Sequence, residues 1–169
     1  MKPRYGGRYR PPAPKRSPLI TAAGAKALRT ELDYLWRNKR PQVTQAVKEA
    51  AALGDRSENA EYIYGKKQLR EIDSRVRFLQ KRLQNIKVVD HLPSDQSKIY
   101  FGAWVSLLAE HDVERKLRIV GADEIEPKLG YISIDSPLAK ALMGKQLDDL
   151  VELPDLGKSY EVIDIHYAE

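Results

Sequence analysis

Gly54-Asp55-Arg56-Ser57-Glu58-Asn59-Ala60-Glu61-Tyr62 places three carboxylates within seven residues, between two long helical patterns. Downstream, Leu69, Ile72, Val76, Leu79, Leu83 and Ile86 recur at alternating steps of three and four, the apolar seam of a coiled coil. Upstream, Leu28, Leu32, Leu35, Val43, Ala46, Ala50 and Leu53 form a looser stripe of the same kind. Two such helices joined by a short turn fold back antiparallel and bury their seams on each other. The acidic stretch then lies at the tip of a rod roughly 40 Å long, for a second helix of about 28 residues. A rod tip is a poor place for a core and a good place to present side chains to another molecule.

Charge divides the chain. Residues 1–18 hold six basic side chains and no acid, residues 19–90 fifteen basic and nine acidic, and residues 91–169 eight basic and fifteen acidic. A basic first half and an acidic second half predict two domains with different partners, the first a candidate for nucleic acid. The absence of cysteine excludes a disulfide framework and a thiolate metal site, and the three histidines, His91, His111 and His166, lack ligand spacing for zinc. No apolar run is long enough to span a membrane, and the basic N-terminus lacks the apolar core of a signal peptide. The expected compartment is a reducing cytoplasm.

Three segments are expected: a disordered basic tail (1–18), an antiparallel coiled coil (19–92) and a small globular domain (93–169). The tail is rich in Pro, Gly, Arg and Tyr and cannot bury enough apolar surface to fold. Its Arg4, Arg8 and Arg10, interleaved with Tyr5 and Tyr9, suit RNA phosphates and bases. Thr21 is a plausible N-cap for a helix running from Ala22 through Trp36. Pro41 predicts a break or kink over 38–41, with a second helical piece over 42–53. Gly54 suits a helix end, and the next helix is expected from about residue 58–60 to Lys87. Beyond Pro93 the pattern becomes β-rich. Residues 99–108 and 114–120 read as a hairpin, 131–134 as a third strand, and 149–153 and 160–167 as two more. Ser136-Pro137 opens a short helix that ends at Gly144. The fold class is therefore α+β, a helical hairpin followed by an antiparallel-sheet domain.

Two readings of the tip compete. Asp55 as N-cap with Glu58 three residues on is an acidic capping box, and negative charge suits a helix N-terminus. Alternatively, Asp55 and Glu58 offer oxygen ligands to a hard cation such as magnesium, which often takes one or two carboxylates together with water and phosphate. Two exposed carboxylates repel by only about 1 kcal/mol in water, so a bare pair holds the ion weakly. The pair becomes useful where another macromolecule supplies the remaining ligands. With Leu69 at heptad position a, Lys67, Arg70, Arg77 and Lys81 fall on one outer stripe with Ser74 between them, extended toward the tip by Lys66. The stripe contains no acid, so it suits either a solvated surface or a nucleic-acid backbone leading to the tip.

Four separated motifs carry a family resemblance: the tip stretch itself; Leu32-Asp33-Tyr34-Leu35-Trp36-Arg37; Phe101-Gly102-Ala103-Trp104-Val105; and Tyr131-Ile132-Ser133-Ile134-Asp135-Ser136-Pro137-Leu138-Ala139. Over residues 19–169 the chain resembles the Gre transcript cleavage factors of bacterial RNA polymerase, and most of all their GreB branch. The resemblance implies that the rod enters the polymerase secondary channel, where the 3′ end of backtracked nascent RNA is extruded. Asp55 and Glu58 match the family's essential tip acids, which share a magnesium ion with the polymerase active site; the factor has no cofactor of its own and is not itself an enzyme. Arg56, Ser57, Asn59 and Glu61 would support the tip. Lys66, Lys67, Arg70, Arg77 and Lys81 would hold the RNA. The C-terminal domain would be FKBP-like without isomerase activity, with Ile134, Asp135, Ser136 and Pro137 matching the segment that docks on polymerase. The basic tail before Leu19 departs from the family pattern. A factor that only blocks the channel, or an independent nuclease or isomerase, are the alternatives. RNA cleavage with and without stalled polymerase separates all three.

Overall fold

Thr21 converts an extended entry into a helix. Its side chain accepts a hydrogen bond from the Gly24 N–H, and α1 (Ala22–Tyr34) follows strand β1 (Leu19–Thr21). The structure, a computed structural model, describes residues 11–168, so the expected RNA contacts of Arg4, Tyr5, Arg8, Tyr9 and Arg10 lie outside the described residues. Residues 11–18 carry no regular secondary structure. Arg16 to Pro18, read from sequence as tail, are nevertheless tied to the body. The Ser17 N–H donates to Asp135, and the Pro18 carbonyl accepts from the Lys87 N–H at 2.7 Å.

Of the break or kink expected over 38–41, the structure shows no break but an irregular turn ending just before Pro41. A π-helical turn (Leu35–Lys39) joins α1 directly to α2 (Arg40–Ala52), and the Arg40 N–H reaches back five residues to the Leu35 carbonyl. Pro41 lies in the first turn of α2, directly after the widened turn. That turn also resets the seam. Leu28 before it and Leu35 at its start are buried, as are Val43 and Ala50 after it with Val47 packed alongside; Ala46 and Leu53, expected in the seam, are exposed. Leu35 to Val43 is one residue more than a heptad, and the π turn absorbs the excess. Against this face lies α3 (Ala60–Asn85), with Ile72, Val76 and Leu79 buried and Leu69, Leu83 and Ile86 packed beside them. At 26 residues it is about 39 Å long. Near the tip the helices close over Gly65, where an added Cβ would strike the Val47 side chain. Arg40 to Asp73 and Arg75 to Glu31, each with an Nε–O distance of 2.7 Å, bridge the two arms.

The third helix stops two residues before the expected Lys87. That residue begins β2 (Lys87–Val89), which pairs in parallel with β1, Leu19 opposite Lys87. The C-terminal domain is a five-stranded sheet in the order β5-β4-β3-β7-β6. Its strands are β3 (Trp104–Leu108), β4 (Glu114–Val120), β5 (Tyr131–Ser133), β6 (Leu150–Leu153) and β7 (Lys158–His166), with α4 (Pro137–Leu142) packed against β6. The expected hairpin forms between β3 and β4, but residues 99–103 lie outside it. One pair departs from the antiparallel expectation: β4 and β5 run parallel, Arg118 opposite Tyr131, so the sheet is mixed. The Gly121–Gly130 connection carries the chain back so that β5 enters in the same direction as β4. Each domain has its own buried cluster, one led by Leu79 and Ile20, the other by Ile99, Leu107, Ile119 and Leu142.

The domains meet through a polar joint. The Glu124 carboxylate accepts from the Thr21 N–H at 3.0 Å, from the Thr21 hydroxyl and from the Gly121 N–H at 2.9 Å. Gly24 and Gly121 permit this approach, since a Cβ on the first would strike the Glu124 side chain and one on the second the Leu19 carbonyl. Beside it, Arg82 donates to Asp123 at 2.7 Å, and both side chains are largely buried. Phe78 is partly exposed, with the guanidinium groups of Arg16 and Arg75 lying 5.7 and 5.1 Å from its ring.

Candidate functional site

The tip is built from the turn outward. Leu53 closes α2, and Gly54, at φ +133°, takes a backbone conformation that glycine tolerates and other residues resist. Asp55 does not cap α3, contrary to the capping-box reading. Its Oδ1 accepts from the Ser57 N–H at 2.9 Å and from the Ser57 hydroxyl at 2.7 Å, an Asx turn that closes on itself. The N-cap is Asn59, whose Oδ1 accepts from the Tyr62 N–H at 3.1 Å while its Nδ2 donates 2.7 Å to the Ala50 carbonyl. One amide thus starts α3 and ties it to the last turn of α2. Asn59 is half-buried, whereas Asp55, Arg56, Ser57, Glu58 and Glu61 are exposed. The loop therefore stands on a fixed base with its charges outward.

Ser57 also shifts the titration of Asp55. Its backbone N–H first, then its hydroxyl, hold the Asp55 carboxyl below the usual carboxylate range. The Arg56 guanidinium sits 5.8 Å from the Tyr62 ring, drawn aside from the acids. Neither Asp55 nor Glu58 forms an ion pair among the described residues. Asp55 Oδ2 and the Glu58 carboxylate face solvent. No group of three or more His, Cys, Asp or Glu side chains able to hold a metal occurs among the described residues. The tip thus presents two exposed carboxylates with no cation paired to them among the described residues.

Along α3 the structure leaves Lys66, Lys67, Arg70, Arg77 and Lys81 exposed, and none joins an ion pair among the described residues. The other arginines of this helix, Arg75 and Arg82, are spent on Glu31 and Asp123. Exposed Leu53, Ile63 and Tyr64 surround the tip as an apolar collar. Sequence periodicity assigned Leu53 to the seam and passed over the other two. Their signal was position: apolar residues flanking the turn, beyond the last full heptad.

The fourth predicted group lies far along the chain, between β5 and α4. The Ser133 hydroxyl accepts from the Asp135 N–H at 3.0 Å, and the Ser136 hydroxyl caps α4 by accepting from the Ala139 N–H. Ile134, Asp135 and Ser136 are half-buried, and Pro137 is exposed. The tip, the α3 stripe and this loop are three separate surfaces rather than one pocket. No helix among the described residues is long and apolar enough to cross a membrane.

Two family models match the chain, one described as transcription elongation factor, N-terminal (residues 18–88), the other as transcription elongation factor, GreA/GreB, C-term (residues 94–167). Transcription elongation factor GreB of Pseudomonas aeruginosa is 61% identical over 162 residues, covering 95% of this chain and 96% of that protein. GreB of Yersinia pestis is 56% identical over 154 residues, 90% of each. The crystal structure of GreA factor homolog 1 of Thermus thermophilus aligns over 89% of this chain and 99% of that one, at 22% identity and a TM-score of 0.42.

Proposed function

The chain belongs to the GreA/GreB family of transcription elongation factors, and from that premise we propose that its helical hairpin delivers Asp55 and Glu58 into the secondary channel of bacterial RNA polymerase to stimulate cleavage of backtracked RNA. The observation that carries this reading is the pair of exposed, cation-free carboxylates at the end of a slender two-helix arm, one of them aimed by Ser57. The partial ligand set fits a magnesium ion whose other ligands belong to the polymerase. Asp55 would offer Oδ2, since Oδ1 is engaged by Ser57. The bound ion supplies activation of water and charge neutralisation for phosphodiester hydrolysis. Within the chain, Ser57 orients Asp55, and Asn59 holds the loop against both arms. The factor so described is no independent nuclease; it completes another enzyme's site.

The double substitution Asp55→Asn with Glu58→Gln tests this in a backtracked elongation complex. Binding to polymerase is expected to persist while cleavage stimulation falls by at least about a hundredfold, the scale on which lost transition-state charge stabilisation is felt. Cleavage at the parent rate would exclude the reading. The apolar collar of Leu53, Ile63 and Tyr64 favours a second one, in which the tip merely wedges the channel; a wedge would retain its effect in the same variant.

The unpaired cations of α3 would hold the extruded RNA 3′ segment. Charge reversal at Arg70 and Arg77 is expected to reduce crosslinking of that RNA to the tip and to flatten its salt dependence. Unchanged crosslinking would leave the stripe a solvated face.

A further inference from the structure

Ser17 lies just outside the N-terminal family match, yet both of its backbone polar groups are taken by different parts of the molecule. Its carbonyl accepts from Arg82 Nη2 on α3 at 2.5 Å. Its N–H donates to Asp135 Oδ2, in the loop between β5 and α4, at 2.9 Å. Arg82 is itself fixed, because its Nε donates to Asp123, whose side chain is 4% exposed. Arg16 lies within 3.8 Å of the other Asp123 oxygen. Asp123, Arg82, Ser17 and Asp135 therefore form one chain of hydrogen bonds from the base of the coiled coil to the 134–137 loop. Among the described residues only Oδ2 of Asp135 is engaged.

We infer that Ser17 and Arg82 are positioning residues for polymerase binding: the Ser17 backbone is a strap that presents the Asp135 carboxylate and keeps the docking loop in register with the rod. This rests on the reading of 134–137 as a docking segment. The strap works through the backbone, so the side chain at position 17 matters little and its N–H matters greatly. The inference also gives the segment before Leu19 a role that requires no nucleic acid.

Ser17→Pro removes the N–H, whereas Ser17→Ala keeps it and deletes only the hydroxyl that accepts from the Leu19 N–H. Both variants, with Asp135→Ala, are compared by amide hydrogen exchange of the free factor and by titration against RNA polymerase. Ser17→Pro is expected to speed exchange over 134–137 and to raise the factor concentration for half-maximal binding roughly tenfold, or about 1.4 kcal/mol. The saturated cleavage rate should stay within about twofold of the parent, as should every property of Ser17→Ala. Combining Ser17→Pro with Asp135→Ala should add little to Asp135→Ala alone. Unchanged exchange over 134–137 in Ser17→Pro, or unchanged polymerase affinity, overturns the inference. If Asp135→Ala also binds as the parent does, the docking reading fails with it; if Asp135→Ala binds weakly, only the strap fails.

Discussion

Asp55 shows how a single neighbour decides what a side chain can offer. A carboxylate at an unassisted exposed site would titrate in the ordinary range; two hydrogen bonds from Ser57 hold this one below it. The sign follows from the direction. The Asx turn is fully formed above the ordinary carboxylate range and is lost as pH falls through the depressed folded value. In Ser57→Ala the backbone N–H remains and the hydroxyl is gone, so the Asp55 titration should move part of the way up. Carbon-detected NMR of the Asp55 carboxyl checks this, and cleavage stimulation should fade at a higher pH than in the parent. A midpoint identical in both would mean the hydroxyl contributes nothing. Asn59 is the opposite case, a residue whose value is structural. Its two bonds join the arms at the base of the loop, so the acids can be exposed without the loop losing its place.

The element that most affects the rod is the π turn Leu35–Lys39. It takes up the residue by which Leu35 to Val43 exceeds a heptad, and it brings Arg40 onto Asp73 of the opposing helix at 2.7 Å. If accommodating that extra residue is its whole purpose, deleting exposed Asn38 should restore ordinary α-helical winding while keeping Val43, Val47 and Ala50 inward. The expected result is unchanged helicity by circular dichroism and a thermal midpoint within about 4 °C, roughly 1 kcal/mol for a chain of this size. A larger loss would show that the widened turn makes contacts of its own. The Glu31–Arg75 bridge nearby adds little, since solvent reaches both side chains and such pairs are worth about 0.2–1 kcal/mol. The Arg75 hydrogen bond lowers the Glu31 pKa against the opposing effect of burial, so that small contribution disappears as pH falls through the depressed value.

For the whole molecule, the decisive interface is the joint where a glutamate of the sheet domain receives the start of the coiled coil. Glu124 satisfies two donors of Thr21 across the boundary and the Gly121 N–H within its own domain, with Gly24 and Gly121 giving the necessary room. Glu124→Ala leaves those donors without their acceptor, and each buried orphan costs about 1–3 kcal/mol less what water recovers. The two domains have separate apolar clusters, so neither should unfold outright. Calorimetry of the parent is expected to give a single transition, and that of Glu124→Ala two resolved ones. A single sharp transition in the variant would mean that β1, β2 and the Arg82–Asp123 pair suffice to couple the domains. A rod held firmly on its base matters here because any tilt at the joint is magnified along about 39 Å of helix.

The linear chain alone determined the two-domain division, the coiled-coil seam of α3, the acidic tip, the free basic stripe and the Ser136-Pro137 helix start. All are short-range: a heptad, a cap or a run of like charge is complete within a few turns of backbone. Tertiary structure decided the rest. Whether Pro41 broke the helix or was absorbed by a π turn depended on the face α3 demanded. Whether Asp55 or Asn59 capped α3 depended on the Ala50 carbonyl standing within reach of one amide. The parallel pairings of β1 with β2 and β4 with β5, and the Glu124 joint, bring together residues remote in sequence. No local pattern encodes such partners, because their energy arises only when the chain has already folded around them.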